Sequence, residues 1–193
     1  MIMVKKSLVA TTVALSYILS ASGDASAQDV KSNEPSTDIE RFTAESGEVI
    51  VQGFEDIGRL KCKYRYRGTL GIARFDNAVD GSSQSGLRIE VKGSGQYDST
   101  KRSFVDYAEI ESLLSGISYL ETITRDSSPL ENVEATYSTN GGVTVTRFND
   151  NEGKLNDAVQ VGKYSSETCY LEDGGLTAFK AAILKAQNKL NTL

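Results

Sequence analysis

Apolar and polar residues alternate with a period of two from Leu60 to Arg67. Leu60, Cys62, Tyr64 and Tyr66 fall on one side, and Lys61, Lys63, Arg65 and Arg67 on the other. That period predicts a half-buried strand. Gly68 closes it, and Leu70 to Phe75 predicts a returning partner. Val133 to Thr139 alternates in the same way, Asn140, Gly141 and Gly142 supply a hairpin turn, and Val143 to Phe148 returns. Gly47 to Phe54 predicts one more strand, at an edge.

A period of 3.6 takes over twice. Ile110, Leu113, Leu114, Ile117 and Leu120 line one face of a helix, with Asp106 and Glu109 spaced as a capping box. Leu176, Phe179, Ile183 and Leu190 make a second stripe, with Asp173 as the predicted cap. A shift of 73 places Tyr137 on Tyr64, Gly141 on Gly68, Val143 on Leu70, and Arg147 and Phe148 on Arg74 and Phe75. A shift of 66 places Leu176, Phe179 and Ile183 on Ile110, Leu113 and Ile117. Residues 60–123 and 133–193 therefore read as two copies of one β-β-β-α unit.

Together these elements predict one α+β domain over 48–193. Its expected form is an antiparallel sheet of about six or seven strands with two helices packed on one face. The other face is left to water, and the Lys and Arg side of 60–67 suits it.

The N-terminus reads as an address. Lys5 and Lys6 precede an apolar run from Leu8 to Ala21, and Ala25, Ser26 and Ala27 give the small-x-small pattern of a signal-peptidase site. Cleavage between Ala27 and Gln28 removes 27 of the 193 residues and leaves 166, enough for one core. The run is shorter than the ~20 residues that span a bilayer, so the mature chain is expected to be soluble, periplasmic or secreted. Residues 28–47 are polar and read as a flexible linker, in which Ile39 and Phe42 offer two docking points.

Composition removes several classes of function. There is no histidine, which excludes Ser-His-Asp and Cys-His catalysis, His-ligated metals and an imidazole switch. The net charge is -5, the wrong sign for nucleic acid as the main partner. Cys62 and Cys169 are the only cysteines, read either as a disulfide in an oxidising compartment or as buried thiols. No Cys-x-x-Cys and no further soft ligands point to redox or metal chemistry, so no catalytic, cofactor or metal residues are assigned.

The densest positive feature is the stripe Lys61, Lys63, Arg65 and Arg67 with Arg74 nearby. It reads as an anion-binding face or as an ordinary solvated one, with Glu90 and Glu134 as the acids expected to relieve its repulsion. Asp150, Glu152 and Asp157 offer oxygen ligands but lack calcium-loop spacing. The acids at 106–111 and 172–173 suit helix starts rather than a cleft. Tyr64, Tyr66 and Tyr137 are expected to pack inside.

The expected function is a non-catalytic binding or interaction module of the cell envelope, taking an amphipathic or anionic ligand. The alternatives are an acidic inhibitor that captures a basic hydrolase, and a hydrolase working through carboxylates.

Overall fold

The computed structural model describes residues 34–93 and 99–193. The cleavage expected between Ala27 and Gln28 lies outside them. In chain order the elements are α1 (Asp38–Thr43), β1 (Ile50–Lys61), β2 (Arg67–Asn77), β3 (Ser83–Lys92), β4 (Thr100–Asp106), α2 (Ile110–Thr122), β5 (Glu134–Ser138), β6 (Val143–Asn149), β7 (Leu155–Val161), β8 (Glu167–Tyr170) and α3 (Gly175–Leu190).

The class is α+β, as expected, but the single sheet is not. Among the described residues there are two antiparallel four-stranded sheets, ordered β1-β2-β3-β4 and β5-β6-β7-β8. Each is a plain meander followed by a long helix. The two sheets join through one antiparallel bridge, Cys62 to Leu171, where the Lys63 N–H donates to the Tyr170 carbonyl (2.7 Å) and the Glu172 N–H to the Lys61 carbonyl (3.0 Å). Cys62 and Cys169 are disulfide-bonded beside that bridge, closing a separation of 107 residues.

The register of the two meanders is parallel in detail. Leu70 faces Ile89 and Ile72 faces Leu87 in the first; Val143 faces Val161 and Val145 faces Val159 in the second. All eight are buried and look into one core. The helices fill that core by crossing over. α3, from the end of the second meander, lies across β1, β2 and β3, while α2, from the end of the first, lies against β5 and β6. Gly116 on α2 has the Tyr137 ring of β5 so close that no Cβ would fit between them. The helices meet along their length, where Glu121 accepts from Lys180 Nζ and Thr177 Oγ1 (2.8 Å each) and Glu111 accepts from Gln187 (2.6 Å).

The strand expected over 60–67 is instead the end of β1 and its turn into β2. β1 stops at Lys61, and Tyr64 and Arg65 take positive φ (58° and 66°). The cause is pairing. The segment from Ile50 already supplies the partner of β2, so the chain must reverse before Arg67, and the disulfide and β8 hold the point of reversal. Tyr64 is accordingly 72% exposed rather than inside. The strand position matching Tyr137, which faces Val145, is Glu55, which faces Ile72. Tyr66 and Tyr137 do pack against the core.

Both predicted caps are also corrected. α3 starts after Gly174 in the left-handed conformation (φ 75°), and Asp173 pairs with Lys154. Asp106 instead reaches back to α1, accepting from the N–H groups of Asp38 (2.6 Å) and Ile39 (3.0 Å). There the carboxylate meets two of the free donors that open any helix. Thr37 Oγ1 accepts from the Glu40 N–H (3.0 Å). Thus part of the segment read as a linker is a docked helix, with Ile39 1% exposed against Ala73 and Phe75.

Candidate functional site: a basic sheet face

The outer face of the first sheet has two ends. At one end α1 covers it, with Ile39 and Phe42 over Ala73, Phe75 and Phe104. The other end is open, and its composition follows from alternation. Because Leu60, Leu70, Leu87, Ile89 and Val91 point inward, their neighbours point out. Lys61, Arg67 and Lys92 form one cross-strand row, and Arg59, Thr69, Glu90 and Arg102 the next. Asp56, Gly71 and Arg88 make the third.

That is six cations against two carboxylates, on a chain of net charge -5. Both acids are engaged: Glu90 pairs with Arg102 (2.9 Å) and Asp56 with Arg88. Arg88 and Arg102 also stack over the Phe54 ring, at 5.1 and 5.7 Å from its centroid. That holds both guanidinium groups beside the same ring. Arg59, Lys61 and Arg67 have no ion-pair partner among the described residues. These three, with Asp56, Thr69 and Glu172, line a cleft of about 820 Å³. Cations recur about every 5 Å across the strands and about every 7 Å along them.

Of the five cations singled out in the sequence, the structure brings only Lys61 and Arg67 together on this face. Lys63 leaves it to donate to Asn156 Oδ1 on β7 (2.9 Å). Arg65 sits in the turn. Arg74 lies on the opposite, helix-facing side of β2, where it pairs with Asp76 (2.8 Å) and donates to the Leu193 carbonyl. The sequence reading missed Arg59, Arg88, Lys92 and Arg102. For Arg88 and Lys92 the signal was the polar complement of the apolar alternation Leu87, Ile89, Val91, whereas Arg59 and Arg102 lie on other strands and join the face only through register. Of the acids expected to relieve repulsion, Glu90 does lie on the face, whereas Glu134 belongs to the other sheet.

The acidic loop after β6 is organised by its own side chains. Asp150 Oδ1 accepts from the N–H groups of Glu152 (3.0 Å) and Lys154 (2.9 Å), and Oδ2 accepts from Asn156 (3.0 Å). These bonds, that from Asn156 foremost, hold its carboxyl below the usual aspartate range. Asp157 is the neighbour of Asn156 on β7 and so faces the other way, forming a two-point pair with Arg147 (2.7 and 3.1 Å). That pair raises the pKa of Arg147. Asp150 and Asp157 therefore do not converge on one point.

No protein-family model and no characterised protein matches this chain.

Proposed function

We propose that the protein is an exported, non-catalytic binding module of the cell envelope, periplasmic or secreted, whose basic sheet face holds a phosphate-bearing anionic ligand. The observation that carries this is the charge inversion on one open face: six cations and two paired acids at its strand positions, with Glu172 a further carboxylate in its cleft, on an acidic chain. Three of the six are arginines or lysines without an ion-pair partner among the described residues. Guanidinium groups match phosphate oxygens in a bidentate fork, which favours phosphate over a diffuse negative field. The face is open and its cleft is wide-mouthed, so it suits a surface or a polymer more than an enclosed small molecule. Export is supported by the Cys62–Cys169 disulfide, a bond that persists in oxidising compartments. The parallel registers of the two meanders support descent from one duplicated unit.

Co-sedimentation with vesicles of phosphatidylglycerol in phosphatidylcholine, beside filter binding of inorganic polyphosphate, tests the reading. Binding should weaken as salt rises from about 0.1 M to about 1 M, over which the screening length falls from about 10 Å to about 3 Å. Lys61→Glu with Arg67→Glu should abolish it. Binding to vesicles alone identifies a lipid headgroup as the source, and binding to polyphosphate alone a free polymer. Retained binding in the double variant, or none to either probe, overturns the reading.

A further inference from the structure

The outer face of the second sheet is built on the same alternation and has the opposite chemistry. Val143, Val145, Val159, Val161 and Cys169 point inward, so Thr136, Ser138, Thr144, Thr146, Gln160 and Thr168 point out. Glu134 is the one charged residue at an outward strand position of this sheet. The hydroxyls are already ordered in cross-strand pairs, Thr136 with Thr146 (3.2 Å) and Ser138 with Thr144 (3.1 Å). Solvated sheet faces commonly carry Lys and Glu; this one carries hydroxyls and amides.

One end of the face is aromatic. Phe148 on β6 meets Tyr170 on β8 edge to face, with centroids 6.3 Å apart and planes at 75°. Tyr64 continues the run from the β1–β2 turn, 6.1 Å from Tyr170 at 79°. Tyr170 is 40% exposed and Tyr64 72%. Tyr64 reaches this position through a left-handed backbone that side-chain-bearing residues avoid, and Arg65 shares it. Two such residues in succession are strained. The conformation is held from both sides, by the Cys62–Cys169 disulfide and by the bond from the Lys63 N–H to the Tyr170 carbonyl. A glycine would relieve the strain and would lose the ring.

We infer that this face is a second binding site, distinct from the basic one, and that it takes a neutral oligosaccharide. Aromatic faces stack on the apolar faces of sugar rings. Hydroxyl and amide side chains exchange hydrogen bonds with sugar hydroxyls, and the charged groups at the edge of the platform, Lys63 and Asp150, are already bonded to Asn156, which limits the desolvation of ions on contact. The run from Tyr64 through Tyr170 to Phe148 supplies the stacking end, and the rows of Thr and Ser the hydrogen-bonding floor.

The test is titration of the mature chain with chitotetraose, cellotetraose and maltotetraose in about 0.5 M salt, which screens the basic face. Binding is read by calorimetry and by tyrosine emission, which no Trp obscures. At least one sugar should saturate. Tyr64→Ala and Tyr170→Ala should each weaken it by about tenfold or more, and Lys61→Glu should leave it unchanged. Tyr64→Gly should weaken it equally while the Tm holds or rises, an outcome that a merely structural Tyr64 would not give. Saturation by none of the three sugars, or affinities unchanged in both alanine variants, overturns the inference. So does a protein partner competing for the same face in place of any sugar.

Discussion

Lys61 and Arg67 face each other directly across the β1–β2 pair, two like charges on adjacent strands with no ion-pair partner among the described residues. Opposed like charges destabilise a sheet, and opposed unlike charges contribute roughly 0.2–1 kcal/mol. A fold under selection for stability alone would place a carboxylate at one of the two positions. Lys61→Glu is therefore expected to raise the free energy of unfolding by up to about 1 kcal/mol in urea titrations while it weakens binding to anionic vesicles. A destabilised variant would mean that the face is locally neutralised already.

The disulfide should matter because it closes a long loop at the point where the sheets meet. Replacing Cys62 and Cys169 by Ala is expected to cost about 2–5 kcal/mol, as for other native bridges. Mass spectra with and without reductant should differ by two hydrogens in the wild type.

The crossed helices make the two meanders mutually dependent. With α3 on the first sheet and α2 on the second, neither fragment 28–128 nor 129–193 carries the helix that covers its own sheet. Each should be unfolded alone by circular dichroism, and an equimolar mixture should recover helical signal. A folded, monomeric single fragment would contradict the crossed packing.

Glu121 joins the helices, and its carboxyl is held below the ordinary value of 4.5 by the bonds from Lys180 and then Thr177. A folded-state pKa below the unfolded one stabilises the fold above the unfolded value and is lost as pH falls through the folded one. Glu121→Gln should therefore be less stable than wild type near pH 7, with the gap closing on acidification below about 4.5. A gap independent of pH would assign the effect to packing instead of charge.

Much of this was legible in the sequence, and the misreadings share a cause. The helix stripes, the hairpin at Asn140 to Gly142 and the apolar strand faces follow from periodicity, which reports burial directly. Periodicity does not report pairing partners. Residues 60–67 alternate well enough to make a strand, yet the preceding segment occupies the partner position and turns the stripe into a reversal. Likewise Asp106 has the spacing of a local cap but serves α1, whose N-terminus the fold brings beside it. The basic face was half visible for the same reason: two of its cations lie in the stripe, while the rest belong to β3 and β4 and to Arg59, and only register joins them. The split into two sheets and the crossing of the helices depend on long-range packing, for which no local pattern exists.

The most direct test of the central claim is amide chemical-shift mapping of the isotope-labelled mature chain titrated with inorganic polyphosphate. Salt-sensitive shifts are expected to concentrate at Arg59, Lys61, Arg67 and Arg102, with the outer face of β5–β8 unmoved. Shifts spread over unrelated surfaces, or confined to Lys63, Arg65 and Arg74, would contradict it.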